Sequence, residues 1–180
     1  MRKESSVLYI LRLTVTLLLI CAAVAAVLAV VNSITKGPIA DIQAQKTQNA
    51  IAVVLPGAGD VEEMAISGDT GIVNAVYVSD SGYAVEVAPA GFDGEVTMMV
   101  GVAEGTVTGI SVISHTETPG LGAVAAANNA KGEAFRGQFV GQSGVLSIGD
   151  QIDGMSGATI TSKAVVAGVN AALEYVENLG

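Results

Sequence analysis

The sequence predicts an α+β protein: a single N-terminal transmembrane helix followed by one extracytoplasmic domain, an antiparallel sheet with flanking helices. Three observations predict it. Residues 13–31 carry no charged side chain, the middle of the chain holds four β-branched runs separated by turn residues, and residues 162–179 repeat apolar side chains at helical spacing. Strands in succession, with helices before, between and after them, define the α+β class.

The 180 residues, 18.0 kDa, allow one modest domain and an appendage. Mean hydropathy is +0.57, and the apolar excess is concentrated in the first 34 residues. Leu13–Val31 is 19 residues, about 28 Å as a helix, close to the thickness of a bilayer's hydrocarbon core. Arg2, Lys3 and Arg12 precede it and the next basic residue is Lys36, so the positive-inside bias leaves the N-terminus in the cytoplasm and the rest outside. Ala23-Val24-Ala25 offers a rival signal-peptide cleavage site. The apolar run continues past it through Val27, Leu28, Val30 and Val31, longer than a signal peptide requires. Ile20 before Cys21 argues against a lipid anchor there, and Cys21 reads as a small hydrophobe. Ala22/Ala26 and Ala25/Ala29 are small-residue pairs of the kind that let a partner helix approach.

Charge and cysteine count exclude several functions. Eight basic residues against 17 acidic ones give −9, the wrong sign for neutralising a nucleic-acid backbone. A lone cysteine forms no internal disulfide, no Cys-ligated zinc site and no iron–sulfur cluster, and no metal site is read from the sequence.

The expected organisation is anchor (1–34), connecting helix (35–60) and domain (61–180). Beyond Gly37-Pro38, Ile39–Leu55 reads as a helix stopped by Pro56-Gly57-Ala58-Gly59. Ile72–Val78, Tyr83–Val87, Val96–Val102 and Val107–Ile113 read as strands of a meander, joined by Gly-containing turns. Met98 and Met99 point to opposite faces of their strand, so at most one is expected in the core. Leu121–Asn129 and Glu133–Phe139 read as partly helical, with Phe135 and Phe139 one turn apart and packed on the sheet. Ser162–Leu179 closes the chain as an amphipathic helix.

Two segments stand out chemically. His115–Gly122 is a polar, turn-rich loop after a strand. Asp153-Gly154-Met155-Ser156-Gly157-Ala158-Thr159-Ile160-Thr161-Ser162 runs into the last helix, where small residues let a phosphate reach unpaired N–H donors. The residues alone leave two readings open: a phosphate-bearing ligand between these loops, or glycines serving turns and Thr161 or Ser162 capping the helix.

The anchor, the Val54-Leu55-Pro56-Gly57-Ala58 helix end, the Pro89-Ala90-Gly91-Phe92-Asp93-Gly94 turn, the His115–Gly122 loop and Ser156-Gly157-Ala158-Thr159 together resemble a known family. The chain resembles the FMN-binding domain shared by the Rnf G subunit and the C subunit of the Na⁺-translocating NADH:quinone reductase, and its compact length is similar to the Rnf branch. The resemblance implies an electron-transfer subunit of a membrane-bound ion-translocating ferredoxin:NAD⁺ oxidoreductase, with FMN attached to Thr159 through a phosphoester. It implies a flavin transferase that recognises the stretch from Asp153, and partner membrane subunits in the cytoplasmic (inner) membrane that move Na⁺ or H⁺. Ser156, Gly157, Ala158, Thr161, Ser162 and Lys163 would contact phosphate and ribityl; Glu117, Thr118, Gly120, Leu121 and Gly122 would wall the ring. His115 reads either as a proton donor to reduced flavin or as hydrogen-bonded structure. The rival functions are a non-redox ligand-binding or assembly subunit and a stand-alone flavinylated extracytoplasmic carrier.

Overall fold

The computed structural model describes residues 2–66 and 71–179, the first five as backbone only. Helix α1 runs from Arg2 to Val54. The chain forms two compact units, residues 1–45 and 46–180.

In the first unit α1 carries the one segment, among the described residues, long and apolar enough to cross a membrane. Its side chains from Val7 to Ile34 are exposed to the surroundings, as a helix facing lipid requires. Thr14 and Thr16 donate their hydroxyls to the carbonyls of Ile10 and Arg12, at 3.0 and 2.8 Å, so neither leaves an unpaired polar group in hydrocarbon. The helix continues through Gly37-Pro38, and Pro38 lies inside it. Proline removes one N–H and crowds the carbonyl four residues back; with the surrounding turns exposed, water can satisfy the freed carbonyl.

The second unit is built on a five-stranded antiparallel meander of strict chain order: β1 (Glu62–Met64), β2 (Val73–Ser79), β3 (Gly82–Val87), β4 (Thr97–Ala103) and β5 (Thr106–Ser114). The expected strands are all present. Strand β1 is an addition: it has three residues, two of them glutamates, and lacks the β-branched signal. Two-residue connections join β2 to β3 (Ser79 opposite Gly82) and β4 to β5 (Ala103 opposite Thr106). In the second, Glu104 and Gly105 both have positive φ, 49° and 73°, the geometry that continues the strand twist through a tight hairpin.

Both faces of the sheet are covered. On one, Val76, Val85, Val87, Met98, Val100 and Val102 pack against α3 (Thr159–Glu177), through Val165, Val166, Val169 and Leu173. Helix α2 (Ala130–Gly137) adds Phe135, whose ring meets that of Phe139 edge-on at 5.5 Å. On the other face, Ala84 and Met99 pack against Ala50, Ile51, Val54 and Leu55 at the end of α1. Met98 and Met99 are therefore both fully buried, correcting the expectation that one would be exposed. The helix end approaches closely because Gly101 and Gly109, paired across β4 and β5, leave no side chain in its path. Thr108 then donates its hydroxyl to the Val54 carbonyl at 2.5 Å.

The helical segments shift from expectation. Residues 122–126 form a short 3₁₀ turn. Helix α2 starts three residues before Glu133 because Asn129 caps it, its Oδ1 accepting from the N–H groups of Lys131 and Gly132. Helix α3 starts at Thr159, three residues before Ser162.

Candidate functional site

Three segments far apart in sequence converge at the start of α3: the turn at 91–94, the loop at 115–122 and the approach to α3. They enclose a cavity of about 320 Å³, within the range of small-ligand sites. Its walls are Phe92 from the first segment, Glu117, Thr118, Leu121 and Gly122 from the second, and residues 157–161 from the third.

Glu117 holds the three together. It is 5% exposed, and its Oε1 accepts from the backbone N–H groups of Phe92 (2.7 Å) and Asp93 (3.3 Å). Its Oε2 accepts the Thr161 hydroxyl at 2.6 Å. Burial pushes this carboxyl up, but the hydrogen bonds from Thr161, Phe92 and Asp93, with the nearby His115, outweigh it and hold the group below its ordinary value. Gly91 and Gly122 are the spaces the carboxylate occupies: a Cβ at either would collide with one of its oxygens. A second tie runs parallel, the Thr116 hydroxyl donating to the Asp93 carbonyl at 2.7 Å.

Two expectations about stability follow. Glu117→Ala leaves two N–H groups and one hydroxyl without their acceptor; with Phe92 and Asp93 exposed, each costs about 1–1.5 kcal/mol, the low end for an orphaned donor, and a loss of about 3–4.5 kcal/mol is expected in denaturant unfolding. Because the native pKa is lowered, the carboxylate's contribution is complete above the ordinary value of 4.5 and is lost as pH falls through the lowered one. Denaturation midpoints followed from pH 6 to pH 3 should therefore fall more steeply for the parent than for Glu117→Gln.

The start of α3 is open. Its N-cap is Ala158, with φ −133° and ψ 46° and no side-chain cap, so the capping reading of Thr161 and Ser162 is overturned. The Thr161 hydroxyl belongs to Glu117. Ser162 donates to the Ala158 carbonyl and accepts from the Met155 N–H, both at 2.9 Å, bracing the loop from inside. The backbone N–H groups of Thr159, Ile160 and Thr161 have no acceptor among the described residues, the arrangement that attracts an anion. Gly157, at φ +76°, brings the loop up to Leu121; a Cβ there would lie 3.2 Å from Leu121 Cδ2. Thr159, first residue of the helix, is exposed on the cavity wall.

Of the residues singled out in the sequence, Glu117, Thr118, Leu121, Gly122, Gly157, Ala158, Thr159 and Thr161 line the cavity. Ser156, Gly120, Ser162 and Lys163 do not; Ser156, Gly120 and Lys163 are exposed and Ser162 is buried. Asp153 is exposed, its N–H donating to Gln138 Oε1 at 2.7 Å. His115 is half-buried outside the lining, and its Nδ1 has no hydrogen-bond partner among the described residues. Phe92 and Ile160, 68% and 52% exposed, are wall residues that sequence reasoning missed. An aromatic side chain held in a Gly-flanked turn, Gly91-Phe92-Asp93-Gly94, is the signal that could have found the first.

Residues 91–174, which include the whole lining, match the model of the FMN-binding domain family. The G subunit of the Na⁺-translocating ferredoxin:NAD⁺ oxidoreductase complex of Acetobacterium woodii is 34% identical over 94% of this chain and 93% of its own length. This chain belongs to the Rnf G-subunit family. Other G-subunit relatives are that of an ion-translocating oxidoreductase complex of Methanosarcina acetivorans (35% identical, 93% of this chain, 94% of that one) and that of the proton-translocating ferredoxin:NAD⁺ oxidoreductase complex of Clostridium ljungdahlii (32%, 98% and 96%). Among solved structures, the C subunit of the Na⁺-translocating NADH-quinone reductase from Parabacteroides distasonis is 25% identical, with a TM-score of 0.49 over 68% of this chain and 78% of that one. In this member of the Rnf G-subunit family, the cavity fits the family's group. The free N–H groups of α3 suit a phosphate, and Phe92, Leu121 and Ile160 offer apolar surface for a planar ring.

Proposed function

We propose that the chain is the electron-carrying subunit of a membrane-bound ion-translocating ferredoxin:NAD⁺ oxidoreductase, holding FMN through a phosphoester on Thr159 Oγ1. One observation carries this reading: an exposed hydroxyl at the first position of an uncapped helix, on the wall of a cavity also lined by a buried, hydrogen-bonded carboxylate. FMN, when bound, supplies reversible electron storage, and the protein supplies position and electrostatics.

The residues divide that work. The N–H groups of Thr159, Ile160 and Thr161 neutralise phosphate charge. Phe92, Leu121 and Ile160 exclude water from the ring, and Glu117 with Thr161 fixes the distance between the walls. Gly157 and Ala158 leave room for phosphate and ribityl, with Ser156 and Lys163 at the rim; Asp153, exposed six residues before Thr159, is accessible to a maturing flavin transferase. Attachment forms a bond from Thr159 Oγ1 to phosphorus; the threonine loses its hydroxyl proton and the phosphate a hydroxyl group, so the product is one water lighter than the bare chain plus FMN. The domain lies on the extracytoplasmic side of the cytoplasmic membrane, because Arg2, Lys3 and Arg12 hold the N-terminus inside. The span has no charge between Leu13 and Val31 and offers no ion path, so translocation belongs to partner subunits.

Intact mass and in-gel ultraviolet fluorescence, on protein purified from its native membranes, test the proposal. The expected result is a mass increase of FMN less water on the peptide containing Thr159. An unmodified, non-fluorescent chain from cells that contain the transferase overturns covalent attachment; a dialysable flavin leaves a non-covalent carrier.

A further inference from the structure

We propose that the outer edge of β5 is a docking site for an extended, acidic segment of a partner polypeptide, added to the sheet as a sixth strand. β5 is the last strand of the sheet and pairs only with β4. Near its start the free side is covered, since Val107 exchanges backbone hydrogen bonds with Gly141 (2.7 Å) and Gln142 (2.9 Å). From 110 to 113 that cover ends. Among the described residues these four make no backbone hydrogen bonds except those to β4, so alternate N–H and C=O groups face outward.

A second cavity, of about 330 Å³, begins where the cover stops. Its lining includes residues from both faces of the sheet, Ile110 and Val112 from the α3 side and Ile113 from the α1 side, so it follows the strand's edge. The edge reads Ile-Ser-Val-Ile, without the lysine, proline or inward charge that commonly protects an open edge.

Charge specifies the occupant. After residue 35 the chain has 16 acidic and five basic residues, yet this cavity is lined by Lys46 and Arg136 and by no carboxylate. Neither cation forms an ion pair among the described residues. Arg136 is already oriented: its Nη1 donates to the carbonyls of Ala125 (2.7 Å) and Ala127 (3.1 Å), leaving the rest of the guanidinium for a carboxylate. The Asn49 and Asn128 amides complete the polar rim. Main-chain pairing supplies affinity in such strand addition, and the flanking charges supply selectivity. The chain's own β1 edge, with Glu62 and Glu63, is the competing occupant. It would join copies head to tail without closure, whereas membership of a family of complex subunits calls for a different chain.

The test places a photo-crosslinking residue in turn at Ser111 and at exposed Asn128 in the full-length chain in its native membranes, and maps the adduct by peptide mass spectrometry. Both positions are expected to capture one segment of another subunit containing at least two Asp or Glu residues. Lys46→Glu, an exposed change that leaves the fold intact, is expected to lower the yield about fivefold. Adducts to lipid, to the Glu62–Met64 strand of a second copy, or to a segment without acidic residues overturn the proposal. So does an absence of adducts, or a yield unchanged by Lys46→Glu.

Discussion

Thr159→Ala is expected to remove flavin fluorescence from the denatured chain completely while leaving the fold as stable as before. The loss is complete because no neighbour can substitute. The Thr161 and Ser162 side chains are 1% and 0% exposed and bonded inward, and Ser156 lies outside the cavity lining. The fold is spared because Thr159 is exposed at a position where alanine is well accepted, and such surface changes ordinarily stay within about 0.5 kcal/mol. Thr159→Ser keeps the acceptor oxygen and should keep fluorescence. Covalent fluorescence surviving in the alanine variant would falsify attachment at this residue; a chain that loses fluorescence and also unfolds early would show a structural role instead.

The second large effect concerns where the folded domain begins. A fragment of residues 61–180 contains every strand, both later helices and the entire cavity at the start of α3, yet it is expected to aggregate or remain unfolded. It lacks Ile51, Val54 and Leu55, which are 7%, 0% and 2% exposed. At roughly 1.5–3 kcal/mol per buried aliphatic side chain, their removal costs about 4.5–9 kcal/mol, comparable with the whole stability of an ordinary domain. It also uncovers Met99 and Ala84 and deprives the Thr108 hydroxyl of its acceptor. A fragment beginning at Lys46 retains all of these and should melt cooperatively. Circular dichroism melts of the two fragments decide the matter; a cooperative transition in the shorter one would show that the helix end is dispensable.

What could be read from the chain alone follows a physical dividing line. The meander was legible because its signals are local: β-branched runs, and turns such as Asp80-Ser81 and Glu104-Gly105 set by neighbouring residues. The double covering of the sheet was not, since β4, Thr-Met-Met-Val-Gly-Val-Ala, has no alternation once both faces are buried. The end of α1 reads as a connector until its glycine-lined seat on β4 and β5 is seen. At the site, the small residues before α3 and the loop after β5 stood out by composition. The role of Glu117 did not. Its partners lie 24, 25 and 44 residues away, and no spacing rule connects them. Gly91 and Gly122, which look like ordinary turn glycines, are explained only by the carboxylate they admit.

That reach of Glu117 across the chain has a bearing on the order of events during synthesis. Hairpins that pair nearest neighbours close early, because little chain entropy is lost in bringing their strands together. The carboxylate's last partner, Thr161, arrives only with the final helix, so a nascent or damaged chain can have its sheet and still have no pocket. Whatever binds in the pocket therefore requires a chain folded through to its last helix.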